Sequence, residues 1–250
     1  MEDPNIHRLI HSYAITLYKY VAQPEDTDEL LATPAFSQLH ILDCNGNHFI
    51  TDKGLIYLKK TLKELYCYNN PFTDHGLSHL SHLTHLRCSC KSNFTDVALK
   101  YLKNLIVLYS NAKFTDRGLG YLSNTLKILY CGFNENFTDV GLRYLGNSLK
   151  ILYCGFNMNF TDVGLGSLKN LTELYCDKNR NFRNQGLVHL HLTALGCGCN
   201  RNFTDEALKR QKKLTFLHAN PNFTDEGLAS LDHLTTLYCN NNSNFTNAEN

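Results

Sequence analysis

The densest group of metal-ligating side chains lies in one short stretch, where His75, His79, His82 and His85 are followed by Cys88 and Cys90. His75 and His79 are one helical turn apart, a spacing that can set two imidazoles on one face. The set does not converge. Cys88 follows a strand leucine by two residues and so points to the core, whereas His85 points to the opposite face. No metal and no cofactor are expected. A second candidate chemistry is acid–base catalysis by carboxylates, because Asp52, Asp74, Asp96, Asp116, Asp139, Asp162, Asp205 and Asp225 all recur after threonine. Catalytic carboxylates must meet in pairs, and residues that recur this regularly read as helix N-caps instead. No phosphate loop, nucleophile elbow or dinucleotide fingerprint is present, and no Ser/His/Asp set stands out. The expectation is a protein that is not an enzyme.

The remaining candidate chemistry is binding by tyrosine. In six of ten strand-like segments the residue between the second apolar position and its successor is Tyr66, Tyr109, Tyr130, Tyr153, Tyr175 or Tyr238. The residue before the second leucine is Val107, Ile128 or Ile151 in the central segments, and Glu173 in the next. If parallel strands stack about 4.8 Å apart, these side chains make a tyrosine-aliphatic stripe. Tyrosine is a preferred interface anchor, and contiguous exposed apolar area marks a binding surface. A protein partner is therefore expected on Tyr66, Val107, Tyr109, Ile128, Tyr130, Ile151, Tyr153 and Tyr175, with Lys127, Lys150, Glu173 and Asp177 as a polar rim.

What must position that stripe is a repeat. Phe72, Phe94, Phe114, Phe137, Phe160, Phe203 and Phe223 each precede Thr-Asp, and residues 126–142 recur almost unchanged as 149–165, differing only at Glu135 and Met158. Each unit reads as a strand (Leu-x-x-Leu-x-Cys), an Asn-rich turn, an inward phenylalanine, and a short helix opened by Thr-Asp and carrying Gly-Leu-x-x-Leu. Strands begin near Leu39, Leu62, Leu83, Leu105, Leu126, Leu149, Leu171, Leu192, Leu214 and Leu234, giving ten rungs. One such unit cannot bury its own apolar face, so the copies must stack on a shared core. The Thr-Asp-x-Gly-Leu-x-x-Leu segments, such as Thr161 to Leu168, resemble the cysteine-containing class of leucine-rich repeat typical of F-box substrate receptors. The resemblance covers residues 39–250. It implies a curved α/β solenoid with parallel strands on the concave face and short helices on the convex face. It also implies a protein-interaction module, with a ubiquitin-ligase substrate receptor or a structural assembly component as alternatives. In the family cysteine usually takes the place of Asn157 or Asn179, whereas here it sits earlier, in the strand.

Residues 1–37 fall outside the repeat. Ile6, Leu9, Ile10, Tyr13, Leu17 and Tyr20 share a helical face, which predicts a helix ended by Gln23-Pro24 and a second helix over Asp26 to Ala32. Together they read as an N-terminal cap or a degenerate F-box-like segment, with the array running over 38–250. Strand Leu234 to Cys239 is followed by an Asn-rich run with no closing helix, so fraying or self-association is expected at that end.

Composition narrows the rest. The formal net charge of +1 gives no global field toward nucleic acid or anionic lipid, and Lys209 to Lys213 reads as a solvated helix face. No signal-peptide pattern opens the chain and no apolar run is long enough to span a membrane. Eight of ten cysteines share one core register, which fits free thiols in a reducing, cytoplasmic location. Gln211 stands where other units have a buried leucine, predicting a poorly packed rung.

Overall fold

The computed structural model describes residues 16–89, 91–239, 242 and 244–246. The chain divides into two compact units, Met1–Ile106 and Val107–Asn250, and both are built from the same rung.

In the first unit, β1 (Lys19–Val21), β2 (Ile41–Asp43), β3 (Glu64–Cys67) and β4 (His85–Cys88) pair in parallel in chain order. Helices Asp28–Leu31, Asp52–Tyr57, Asp74–Ser78 and Asp96–Leu99 alternate with them. In the second unit β5 (Val107–Tyr109), β6 (Ile128–Tyr130), β7 (Ile151–Tyr153), β8 (Glu173–Tyr175), β9 (Ala194–Gly196), β10 (Phe216–His218) and β11 (Thr236–Tyr238) do the same. Strand alternation sends each central leucine inward, and Leu108, Leu129, Leu152 and Leu174 are fully buried. The phenylalanines complete the core as expected, with Phe137, Phe160, Phe182, Phe203 and Phe223 all at zero exposure. Seven of the registered cysteines, Cys44 through Cys197, are buried free thiols, and Cys239 is partly covered. Burial drives the Cys67, Cys131 and Cys176 thiols well above their usual range.

Two polar ladders join rung to rung. The buried turn asparagine bonds its own turn through its carbonyl and the preceding turn through its amide. Asn134 Oδ1 accepts from Asn136 N at 2.8 Å and Phe137 N at 3.1 Å, while its Nδ2 donates to Asn111 O at 2.6 Å and Phe114 O at 2.9 Å. Asn157 repeats this onto Asn134 O at 2.7 Å and Phe137 O at 3.2 Å. The second ladder corrects the sequence reading of the aspartates. Threonine alone caps its own helix, as Thr161 Oγ1 accepts from Val163 N at 3.2 Å. The aspartate instead reaches the next rung: Asp139 takes Thr161 N on Oδ1 at 2.8 Å and the Thr161 hydroxyl on Oδ2 at 2.6 Å. This explains the glycine of Thr-Asp-x-Gly, since a Cβ at Gly164 would lie 2.2 Å from Asp139 Oδ1. Ala98 takes the same place beside Asp74, so a methyl is housed there once its neighbours shift.

The start of the array differs from expectation. Ile6, Leu9, Ile10 and Tyr13, which would carry the first helix, lie outside the described residues, but Lys19–Val21 is a strand on β2 and not the end of a helix. Tyr20 is buried against Phe36 with ring centroids 4.9 Å apart, and its hydroxyl donates to Asp26 at 2.8 Å. Backbone pairing along β2 outweighs the helical spacing of Leu17 and Tyr20. The following helix is a repeat helix as well: Asp28 accepts from Thr51 N, Thr51 Oγ1 and Gly54 N at 2.6–2.9 Å. A rung therefore precedes the ten read from sequence, and residues 37 and 38 do not mark a change of architecture.

Gln211 is a second correction. It is fully buried, accepts from Leu192 N at 2.9 Å and donates to Leu187 O at 3.1 Å. Its amide joins two rungs where leucine would only fill space, so the rung is not loosely packed.

Two outcomes follow. Asn157→Ala strands two carbonyls and one N–H in a dry interior and should cost about 3 kcal/mol or more at roughly 1–3 kcal/mol per orphaned group. The exposed Asn159→Ala should cost under about 1 kcal/mol. Urea unfolding midpoints at constant m would separate them, and equal losses would contradict the ladder's role. Leu234 and Leu237 are only partly covered while Leu214 and Leu217 have no exposure. Amides of β11 should thus exchange faster than those of β7, and equal protection would contradict this.

Candidate functional site

On the solvent face of the second unit, strand register places Tyr109, Tyr130, Tyr153 and Tyr175 side by side. Their rings stack with centroids 3.8, 4.2 and 4.2 Å apart and interplanar angles of 7, 11 and 3°. The rung spacing sets this distance, so the inner rings Tyr130 and Tyr153 are covered by neighbours on both faces and left open along one edge. All four tyrosines are half-buried. Tyr175 OH donates to Glu173 Oε2 at 3.2 Å. Desolvation raises the hydroxyls of Tyr130 and Tyr175 above the usual tyrosine range and pushes Tyr153 up to about 12, with the neighbouring Tyr175 adding to the shift.

The ladder stops where the next residue in register is Gly196. Tyr175 leans over it, so that a Cβ there would lie 2.7 Å from the ring. The missing side chain opens a shallow hollow of about 250 Å³ lined by Tyr175, Phe216, His218 and Tyr238. Phe216 tilts toward Tyr175 and Tyr238 at 6.2 and 5.6 Å.

The other expected site residues divide. Ile128 and Ile151 are half-buried beside the ladder, whereas Val107 is only 8% exposed and offers little to a partner. Tyr66 lies in the first unit, in register with Asp43 and Arg87 and with its hydroxyl on Glu64 at 3.2 Å, outside the four-ring stack. Asp177 is engaged by His218 at 3.7 Å and by Cys199 N at 3.3 Å, so it is a partly satisfied rim group. His75 and His79 do meet, ring edge to ring face at 5.0 Å, but Cys88 is buried in the core. Among the described residues no group of three or more His, Cys, Asp or Glu could hold a metal ion.

Sequence reasoning missed Phe216 and the turn residues Phe133 and Phe156. The last two are exposed by 72 and 44% and stack at 4.7 Å, with the Lys178 ammonium 4.7 Å from the Phe156 ring. The signal was available: Cys-Gly-Phe-Asn puts an aromatic ring in a turn where other rungs carry Lys178 or Cys199.

No protein-family model and no curated protein matches the chain. Among solved structures it is similar to an internalin (inlF) from Listeria monocytogenes, at a TM-score of 0.52 and 21% identity over 94% of this chain and 87% of that one. It is also similar to PEPR1 of the PEPR1–AtPEP1 structure, at a TM-score of 0.50 and 23% identity over 88% of this chain and 33% of that one. With the parallel strands and alternating short helices, these likenesses make the fold an α/β leucine-rich repeat solenoid. No helix among the described residues is long and apolar enough to cross a membrane.

The raised tyrosine ionisation has a signed consequence. Above the normal tyrosine value near 10, the unfolded chain loses hydroxyl protons that the folded ladder still holds. Stability from these groups is complete below about pH 10 and is lost as pH rises toward 12. Ultraviolet titration should show Tyr153 ionising late in the parent, and Tyr153→Phe should improve alkaline stability. Ionisation of all the tyrosines near pH 10 with the fold intact would contradict the ladder's burial.

Proposed function

We propose that the chain is a non-catalytic protein-binding module whose contact surface is the tyrosine ladder of β5–β8, continued by the hollow beyond Gly196. The observation that carries this reading is the ladder itself. Four parallel, stacked rings present a straight aromatic edge with hydroxyls on a strand face that no described element of their own unit covers. Such rings add large contact area with few rotors to immobilise, which is why tyrosine recurs at binding surfaces. Strand propensity alone accounts for an aromatic residue at one position, not for a registered run ended by a glycine hollow. Ile128, Ile151 and Phe216 add apolar contact, and Lys127, Lys150, Glu173 and Asp177 supply the rim.

An F-box-like role for residues 1–37 gains no support. Pro4, Ile6, Leu9 and Ile10 lie outside the described residues, and Lys19–Val21 is committed to the sheet.

Stacking means that the ladder also contributes to stability. Removing Tyr130 and Tyr153 abolishes three ring pairs at about 0.5–1.5 kcal/mol each, so alanine is a blunt probe. Tyr130→Phe with Tyr153→Phe keeps the stack and removes the hydroxyls. For a partner purified from native extract, this pair should weaken affinity several-fold with melting unchanged. Tyr153→Ala should weaken it about 30-fold, the equivalent of about 2 kcal/mol for a central anchor. Lys209→Glu, on the helical side, should do neither. Affinity that is indifferent to the ladder and sensitive to Lys209 would place binding elsewhere.

A further inference from the structure

The rung spanning β8 to β9 departs from the Phe-Thr-Asp sequence of the rungs beside it. Where other rungs read Phe-Thr-Asp, this one reads Phe182-Arg183-Asn184. Three bonds change as a result. Asp162 keeps the N–H of Arg183 at 2.8 Å but has no threonine hydroxyl to accept from. The helix that should start here is reduced to a 3-10 turn, Asn184–Leu187, with no side-chain cap. Asn184 then passes an amide, and not a carboxylate, to Thr204 at 2.8 and 3.0 Å. In an array stabilised by repetition, giving up a charge-assisted bond here, and leaving both this turn and the next helix at Thr204 without a side-chain cap, is not explained by folding.

What replaces them is a cluster of positive charge. Arg180, Arg183 and Arg201, with Asn202 and Cys199, line a cleft of about 590 Å³. Arg180 and Arg201 occupy the same turn position in consecutive rungs, where other rungs carry Glu135, Met158 or Pro221. Their backbone carbonyls are held by Asn202 and Asn222 amides, so both turns are fixed while the guanidinium groups stay exposed. Among the described residues no carboxylate lies within salt-bridge distance of these three arginines, though Asp162 feels the Arg183 charge. Like charges on adjacent rungs oppose stacking, and the chain as a whole is close to neutral. The cluster is thus a local feature and not part of a basic surface.

We propose that this cleft is a phosphomonoester site, receiving the phosphorylated side chain of a peptide laid across the turns after β8 and β9. Guanidinium forks match phosphoryl oxygens in pairs, and clustered arginines are the usual protein solution for a phosphorylated side chain. The volume exceeds what a lone phosphate fills and falls within the range of about 300–1,000 Å³ for ligand sites. The cleft adjoins the end of the tyrosine ladder, because Cys199 N bonds to Asp177, two residues beyond Tyr175. A single bound segment could reach both. Phosphate recognition is nevertheless independent of the ladder and is tested without any partner.

Cys199 is an exposed thiol in the wall of the cleft and reports on its occupancy. Its alkylation by neutral iodoacetamide, read by mass spectrometry on the full chain, should slow in inorganic phosphate but not in chloride of equal ionic strength. A mixed-sequence pool of phosphoserine and phosphothreonine peptides should protect it at lower concentration than phosphate does, and the dephosphorylated pool should not protect it. Arg183→Thr restores the repeat residue, so it should melt at or above the parent temperature while phosphopeptide protection weakens about tenfold or more. Protection by phosphate and chloride alike, or undiminished protection in Arg183→Thr, overturns the site. Inorganic phosphate protecting as well as the peptide pool overturns the peptide assignment. The Tyr130→Phe, Tyr153→Phe protein should behave as the parent here, so failure of the ladder reading and failure of this one are separable.

Discussion

The structure depends on a polar bond that reaches from one rung to the next. A rung this short has a three-residue strand and about one turn of helix, so neither element could stand alone. Leucine and phenylalanine supply the burial, but burial is indifferent to small slips between rungs. The aspartate that leaves one helix and takes both the N–H and the hydroxyl of the next threonine is not indifferent, nor is the asparagine that ties two turns together. Each fixes the register by directional bonds, the asparagine in a buried turn and the aspartate at the partly covered start of the next helix. The stacked tyrosines follow from that register, because rings one rung apart meet face to face only if the strands do not shift.

The same bond gives the array a standard against which exceptions can be judged. Gln211 departs from the consensus and is compensated, since both ends of its amide are bonded across rungs. Ala98 and Ala207 depart from the glycine position by one methyl, which the adjoining rung houses. Arg183 departs without compensation in the fold. Gly196 departs by removing a side chain, and the consequence is a hollow at the end of an aromatic ladder. Arg183 and Gly196 both belong to the rung of β8 and β9, the rung on which the two proposals of binding meet.

Much of this was legible in the sequence. The repeat is nearly exact over residues 126–165, so strand register, inward cysteines and the order of the tyrosines followed from period alone. Less legible was anything requiring knowledge of what lies one rung away. The aspartates were read as caps of their own helices because linear sequence shows only the helix they begin. The first rung was read as helix because Leu17 and Tyr20 have helical spacing. Its true signal was Thr27-Asp28 with Leu31, at the offsets of Thr51-Asp52 with Leu55. Val107 was placed on the surface by alternation, yet it is nearly covered. Phe216 was passed over because its neighbours in sequence gave no reason to choose it; its place beside the small Ala194, in the strand that carries Gly196, shows only in the sheet.

The central claim, that directional bonds between rungs hold the stack in register, is tested most directly by a double-mutant cycle on Asp139 and Thr161. Asp139→Ala, Thr161→Val and the double variant would each be unfolded in urea and compared with the parent. A charge-assisted hydroxyl–carboxylate bond between rungs should give a coupling of about 1.5–3 kcal/mol. Additivity within about 0.5 kcal/mol would mean that the two side chains contribute independently, and would contradict the aspartate–threonine bond as a link between rungs.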